Sequence, residues 1–345
     1  MLSRLVNLSE YCLFYLWGKH KKGTIANQLN YSGHLSPSEI ASKPATTYPI
    51  KMDDYLLRII AQESGFRALV LLTTQITREA CRRQRTTAAA MPVLADGMTA
   101  AAMLGSLLKM KQRVALRFEG DGPVGLMITE SSSHGLVRGY MAHPEAEPTS
   151  EGSDRVSLMG KKGILKVVKD IGLKKLIEGV VERQGTAAED LTHFLNTSEQ
   201  THSFVSIATV PTENGMVQIS GGILIQALPG HREGIIEKLR NRLQELPPFG
   251  DLLLQEEKAN PDTVLEKIAD IVFEGTDSQT LEKKWLFFHC GCSRERSEDA
   301  LVTLGKTDLL ALLQEHEEVV TDCHFCNEKY VFTHDNIREL IEKIE

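Results

Sequence analysis

From Met52 onward the chain alternates short apolar runs with amphipathic stretches, and the period of each predicts its element. Residues 66–72, rich in Leu and Val, predict a strand. Residues 86–109 carry Ala88, Met91, Leu94, Met98, Ala101, Ala102 and Leu108, which predicts a largely buried helix with Pro92 as its first turn or a break. Residues 113–118 alternate, Gly120-Asp121-Gly122-Pro123 turns the chain, 124–128 returns and 136–141 comes after another turn, a strand meander. Further strands fit 163–170, 204–210 and 216–227, with a helix at 187–195. Gly221 and Gly222 inside a strand pattern mark a bulge or a close approach of backbone. The fold class is therefore α+β, with a mixed or antiparallel sheet core.

The pattern changes after Pro229. Between His231 and Glu282 it becomes helical and acidic: one stripe carries Ile235, Ile236, Leu239, Leu243 and Leu246, closed by Pro247-Pro248, and a second carries Val264, Leu265, Ile268, Ile271 and Val272. Helices shorter than about 12–15 residues are marginal in water on their own, so these depend on what they rest against. The chain divides into a core at 52–229, a metastable helical linker at 230–284 and a small zinc-binding domain at 285–345. Residues 1–51, poor in acids, read as an extension outside the fold: disordered, a transit peptide, or the product of a misplaced start.

Composition narrows the function. The 345 residues are 42% hydrophobic and 25% charged with a net charge of −7, which suits a globular chain and disfavours general nucleic-acid binding. Charges interrupt every apolar stretch before the ~18 residues that would predict a membrane span. No catalytic constellation survives scrutiny in 52–229: the Gly120–Pro123 loop leads to no phosphate-binding lysine, and neither a Gly-x-Ser-x-Gly elbow nor a His-Glu-x-x-His helix occurs. The chain is not expected to be an enzyme.

Four of six cysteines carry the chemistry. Cys290 and Cys292 flank one glycine, Cys323 and Cys326 flank His-Phe, and thirty residues separate the pairs. Two tight pairs offer four soft ligands to one ion, the preference of Zn²⁺. His289, His316 and His324 are substitutes that four thiolates make unnecessary. Ser293 is placed to cap a helix carrying Ala300, Leu301 and Leu304, Gly305 to end it, Thr307 to cap a second, and a last helix aligns Ile337, Leu340, Ile341 and Ile344. So small a domain would draw most of its stability from the metal, about 10–16 kcal/mol for such sites. Bonding one sulfur pair removes two ligands at once, and Arg294, Arg296 and Lys329 offer positive charge that favours thiolate. The residues leave open a static zinc anchor and a redox switch. A thiol-disulfide oxidoreductase built on Cys323 and Cys326 would need a helix directly after them, where a strand is expected.

The string Cys290-Gly-Cys-Ser-Arg-Glu-Arg296, with Ala300-Leu301, Cys323-His-Phe-Cys326 and Tyr330-Val-Phe332, resembles the C-terminal switch of the redox-regulated holdase chaperones, the thirty-three-kilodalton heat-shock family. The likeness extends over roughly 52–345 through Gly120–Pro123, Ser198-Glu-Gln200 and Gly221–Gln226. It implies an ATP-independent chaperone, inactive when reduced and zinc-loaded. Oxidation would form disulfides Cys290–Cys292 and Cys323–Cys326, expel zinc, unfold switch and linker, promote homodimerisation and expose apolar surface to unfolding clients. The resemblance implies a cytoplasmic protein, or an organellar one if 1–51 is a transit peptide, acting without nucleic acid or membrane. The alternative is a constitutive zinc-ribbon adaptor that binds a partner protein. Asn327 stands where glycine is usual, a position Asn tolerates at positive φ.

Overall fold

The computed structural model describes residues 53–148, 155–230, 234–315 and 317–344, so the 1–51 extension and His316 lie outside the described residues. The elements run β1 (Tyr55–Ala61), β2 (Phe66–Leu72), α1 (Thr74–Gln84), α2 (Met91–Ser106), β3 (Arg113–Gly120), β4 (Leu126–Ser132), β5 (Leu136–Met141), α3 (Arg155–Met159), β6 (Gly163–Asp170), β7 (Ile177–Glu182), α4 (Ala187–Thr197), β8 (Ser203–Pro211) and β9 (Val217–Ala227). Next come α5 (Ile235–Glu245), α6 (Phe249–Ala259), α7 (Val264–Val272), β10 (Gln279–Trp285), β11 (Phe287–Phe288), α8 (Arg294–Val302), α9 (Lys306–Glu315), β12 (Glu318–Asp322), β13 (Lys329–Thr333) and α10 (His334–Glu342). The class is α+β as the periodicity predicts.

Two sheets enclose α2. One has the order β10-β1-β2-β9-β8, the other β11-β5-β4-β3-β6-β7, and every pairing is antiparallel except the short parallel contact of β11 with β5. Helix α2 has almost no polar face, which a helix buried all round requires. Its Met98, Met103 and Leu104 join Leu69 and Leu224 of one sheet to Leu116, Met127 and Val137 of the other in a single core. Gly222 lets the helix come this close, because a Cβ there would meet Met103 Cε at 2.4 Å and the Ser206 carbonyl at 2.9 Å. The ladder runs straight through both glycines, Leu72 opposite Gly221 and Leu71 opposite Gly222, so close approach, not a bulge, is their use. The Gly120–Pro123 loop serves the same need: a Cβ on Gly122 would meet Gly160 N at 2.4 Å.

The far face of the five-stranded sheet is apolar too, which is why β2 reads as a nearly unbroken run of Leu and Val. Helices α5, α6 and α7 cover it. Ile236, Leu239, Leu253, Leu265, Ile268, Val272 and Phe273 lie against Leu57, Ile59, Val70, Ile223 and Ile225 in a second core. Both amphipathic stripes thus face the sheet, and each fully buried side chain contributes roughly 1.5–3 kcal/mol. Polar ties fix the docking: Tyr55 Oη donates to Glu266 at 2.8 Å and accepts from Leu265 N at 3.1 Å, and Lys283 pairs with Glu266 at 2.9 Å.

From α7 the chain does not leave the core. It adds β10 to the sheet edge beside β1, buries Leu286, whose N–H donates to the Asp54 carbonyl, and pairs β11 with β5 before reaching Cys290. The C-terminal elements have a small core of their own around Leu301, Leu309, Phe332, Ile337 and Leu340. Ser293 caps α8 by accepting from Arg296 N, as its sequence position predicts, while Thr307 falls inside α9 and Lys306 begins that helix. No helix among the described residues is long and apolar enough to cross a membrane.

Candidate metal centre

The four cysteines of the C-terminal region come together. Cys290 leaves β11, held because the next-door His289 N–H donates to the Val137 carbonyl, and Cys292 stands one residue before the Ser293 cap, where the positive end of α8 favours a thiolate. Cys323 and Cys326 lie on the tight turn between β12 and β13. Asn327 N donates to the Cys323 carbonyl at 2.7 Å and Cys323 N to the Glu328 carbonyl at 2.9 Å. Asn327 takes φ = 56°, so the asparagine fits where glycine was expected.

The sulfurs all lie within 4.8 Å of one another. Cys290 Sγ is 3.5 Å from Cys323 Sγ, Cys292 Sγ is 3.3 Å from Cys326 Sγ, and all four are free thiols. A tetrahedral zinc with ~2.3 Å bonds would hold sulfurs at roughly this spacing. The protonation balance points the same way. Hydrogen bonds from Cys292, Cys323 and Cys326, aided by the charge of Arg138, push the Cys290 thiol far down, while Cys323 and Cys326 are pushed far up, chiefly by the Cys290 sulfur beside them. Without a cation the four cannot all be thiolates. A divalent ion at the centre resolves that conflict, so the donor set fits Zn²⁺ in number, softness and spacing.

The residues around the sulfurs come largely from elsewhere in the chain. Arg138 on β5 donates to Cys290 Sγ at 3.6 Å and is anchored by Glu130 on β4 at 2.6 Å. Its guanidinium lies 3.9 Å from the centroid of Phe325. Tyr330 Oη donates to Cys292 Sγ at 3.2 Å. The cations named from sequence serve otherwise. Arg294 donates to the Val331 carbonyl and lies over Phe332, Arg296 donates to the Gly291 carbonyl, and Lys329 is exposed on β13. His324 stacks on Tyr140 with centroids 5.5 Å apart, and burial lowers its pKa. Among the described residues the metal-ligating cluster is the four sulfurs alone. Sequence reasoning missed Arg138, Glu130 and Tyr330. The first two sit about 150 positions before Cys290 and become neighbours only through the β11–β5 pairing.

The centre also fastens the C-terminal elements to the core. Gln84 Nε2, at the end of α1, donates to the His324 and Phe325 carbonyls at 2.6 and 3.2 Å, and Asn327 Nδ2 donates to the Arg83 carbonyl at 2.6 Å. A strand, β13, comes after Cys326 where a thioredoxin-like site would have a helix. Cys81, in contrast, is buried alone on α1, and desolvation pushes its thiol up to about 12, out of the reactive range.

The Hsp33 protein family model matches residues 54–333. The 33 kDa chaperonin of Geobacter sp. strain M21 is 39% identical over 296 residues, which span 85% of this chain and 98% of the relative. That of Bacillus cytotoxicus is 35% identical over 300 residues, 85% of this chain and 100% of the relative. The crystal structure of the 33 kDa chaperonin (heat shock protein 33 homologue) of Thermotoga maritima aligns with a TM-score of 0.74 at 28% identity, over 85% of this chain and 98% of that one.

Proposed function

The chain belongs to the Hsp33 family, which gives it a chaperone role, and we propose that it acts as a redox-regulated, ATP-independent holdase switched by its four-cysteine centre. The observation that carries this reading is the position of the centre. Four thiols from two chain segments, one running on from β10 and β11 and one from the β12–β13 turn of the C-terminal module, meet against the core beside Arg138.

In the reduced state Cys290, Cys292, Cys323 and Cys326 would hold Zn²⁺. The ion, when bound, keeps the four sulfurs as thiolates and clamps two chain segments together. A thiolate attacks peroxide, the O–O bond takes up its electron pair and hydroxide leaves. The thiolate of the same sequence pair then displaces a second hydroxide from the sulfenic sulfur, closing an S–S bond. Two peroxides thus consume four thiolates and, with four protons, yield four waters. The bridges are Cys290–Cys292 and Cys323–Cys326. Bonded sulfurs at ~2.05 Å no longer form the ~3.8 Å edges of a tetrahedron, so the ligand set is lost.

The chain's own residues then complete the release. Arg138 loses the Cys290 thiolate and keeps Glu130, the C-terminal module loses most of its stability, and β11 and β10 lose the anchor beyond them. Helices α5 to α7, too short to stand alone, then expose Leu253, Ile268 and Val272 to unfolded clients, and the exposed surface pairs two copies. The division into core (52–229), linker (230–284) and switch (285–345) is part of this reading. So is a cytoplasmic setting, where thiols are kept reduced, with no nucleic acid, membrane or catalytic residue involved. The test is aggregation of a denatured client with reduced and with peroxide-treated protein in parallel. Suppression by the oxidised form alone supports the holdase; equal activity of both forms, or of neither, returns the protein to a static zinc adaptor.

A further inference from the structure

Phe325, between two of the cysteines, is not simply packed; it occupies a pocket that the core presents ready-made. Ile128 on β4 is its floor, and both residues are almost fully buried. Tyr140 meets its ring edge-on at 4.9 Å and 85°, and Arg138, locked by Glu130, covers its face at 3.9 Å. Gln84 then reads the main chain, donating to the carbonyls of residue 325 and of the residue before it. Every one of these walls belongs to α1, β4 or β5, which are held by the six-stranded sheet and α2; of them Arg138 alone also donates to a cysteine, and Glu130 holds it in place without that bond.

The chemistry of the pocket is that of peptide recognition. A cation above a ring and a tyrosine at its edge select an aromatic side chain, and an amide donor to consecutive carbonyls selects backbone that has no internal partner. Folded proteins satisfy their carbonyls internally and bury their aromatic rings, so only an unfolded segment offers both together. We propose that this pocket is a client-docking site, occupied by Phe325 as a built-in surrogate while the sulfur cluster holds, and taken over by an aromatic residue of an unfolded chain once Phe325 leaves. The inference rests on the holdase reading and adds to it the side chain that is recognised and where.

The test uses a short labelled peptide with one phenylalanine, the same peptide with alanine in its place, and fluorescence anisotropy. Reduced, zinc-loaded wild-type protein should bind neither. Reduced Phe325→Ala, with metal retained by direct zinc assay, should bind the phenylalanine peptide without oxidant through the vacated ring site alone, more weakly than oxidised wild type because the carbonyls of residues 324 and 325 still hold Gln84, and should ignore the alanine one. Oxidised wild type should bind the phenylalanine peptide, and oxidised Tyr140→Ser or Gln84→Ala should bind it about tenfold more weakly. If zinc-loaded Phe325→Ala stays blind to the peptide, or if both oxidised pocket variants bind as wild type does, the pocket proposal is overturned. Should Phe325→Ala lose its metal, the oxidised variants decide alone, since their core strands can be checked by circular dichroism. If oxidised wild type fails to suppress client aggregation at all, it is the holdase reading that falls, a result separable from any change in the pocket.

Discussion

Truncating Ile268 to alanine should free the linker helices without touching a cysteine. Ile268 is completely buried in the core that α7 shares with β1, β2 and β9. Ile→Ala at such a site costs 2–5 kcal/mol, and about 3 kcal/mol is a fair central value. A nine-residue helix has no stability of its own to absorb that loss. Val264, Leu265, Ile268, Ala269, Val272 and Phe273 hold it in the core shared with the sheet, α5 and α6, and the Tyr55–Glu266–Lys283 ties add to that. The cost should therefore appear as local opening. At 1.4 kcal/mol per decade, amides of α7 in reduced, zinc-loaded protein should exchange about 150-fold faster by hydrogen-exchange mass spectrometry. Strands β3 and β4 should be unchanged, and client-aggregation suppression should appear without oxidant. Equal loss of protection in β3 and β4 would show that linker and core open as one unit, and no change in α7 would show that the stripe does not hold the helix. Either result refutes the reasoning.

Three further outcomes are expected from single sites. Arg138→Met leaves the nearly buried Glu130 carboxylate without its partner and should cost about 3–5 kcal/mol, most of it recovered by adding Glu130→Leu; calorimetry that finds the two changes simply additive would contradict this. Asp54, buried while accepting from Gln75 and Ile76 N–H, is raised by desolvation from 3.8 to about 7. Between those values the folded protein keeps a proton that the unfolded chain releases. The resulting stability is full below about pH 4 and lost as pH rises through 7, so Asp54→Asn should flatten the urea midpoint over that range, and an unchanged slope would exclude Asp54 as its source. Tyr330→Phe removes the donor to Cys292 Sγ and should weaken zinc binding about tenfold in competition with a chelating dye, where wild-type affinity would show the hydroxyl to be idle.

Much of the fold was legible because burial is written in the residue period. β2, the β3–β4–β5 meander and α2 announce themselves, and so do the two linker stripes, whose apolar residues are the ones found against the sheet. The elements that escaped have their signal diluted. At the start of α1, Thr73, just before the helix, and Thr74 and Thr77 within it look like poor helix residues, yet they are buried and bond to neighbouring backbone or hydroxyls. β7 and β10 are edge strands in which apolar Ile177, Val180 and Leu281 are exposed like the charged residues beside them, so little alternation is left to read. α6 hides behind Pro247-Pro248, read as the end of one helix when Pro248 also stands at the start of the next. The ligand set of the centre was visible because chelation is local in sequence. Its surroundings were not: Arg138, Gln84 and Tyr140 reach the cluster through strand register and helix placement, and no spacing rule links positions so far apart.

The central claim is that closing the sulfur bridges undocks the linker. It is tested most directly by tracking hydrogen exchange at Val264–Val272 and zinc release together during peroxide treatment of the full chain. Helix α7 should lose its protection in step with zinc, while β3 and β4 keep theirs. Zinc fully released and both bridges closed, with α7 as protected as before, would contradict it.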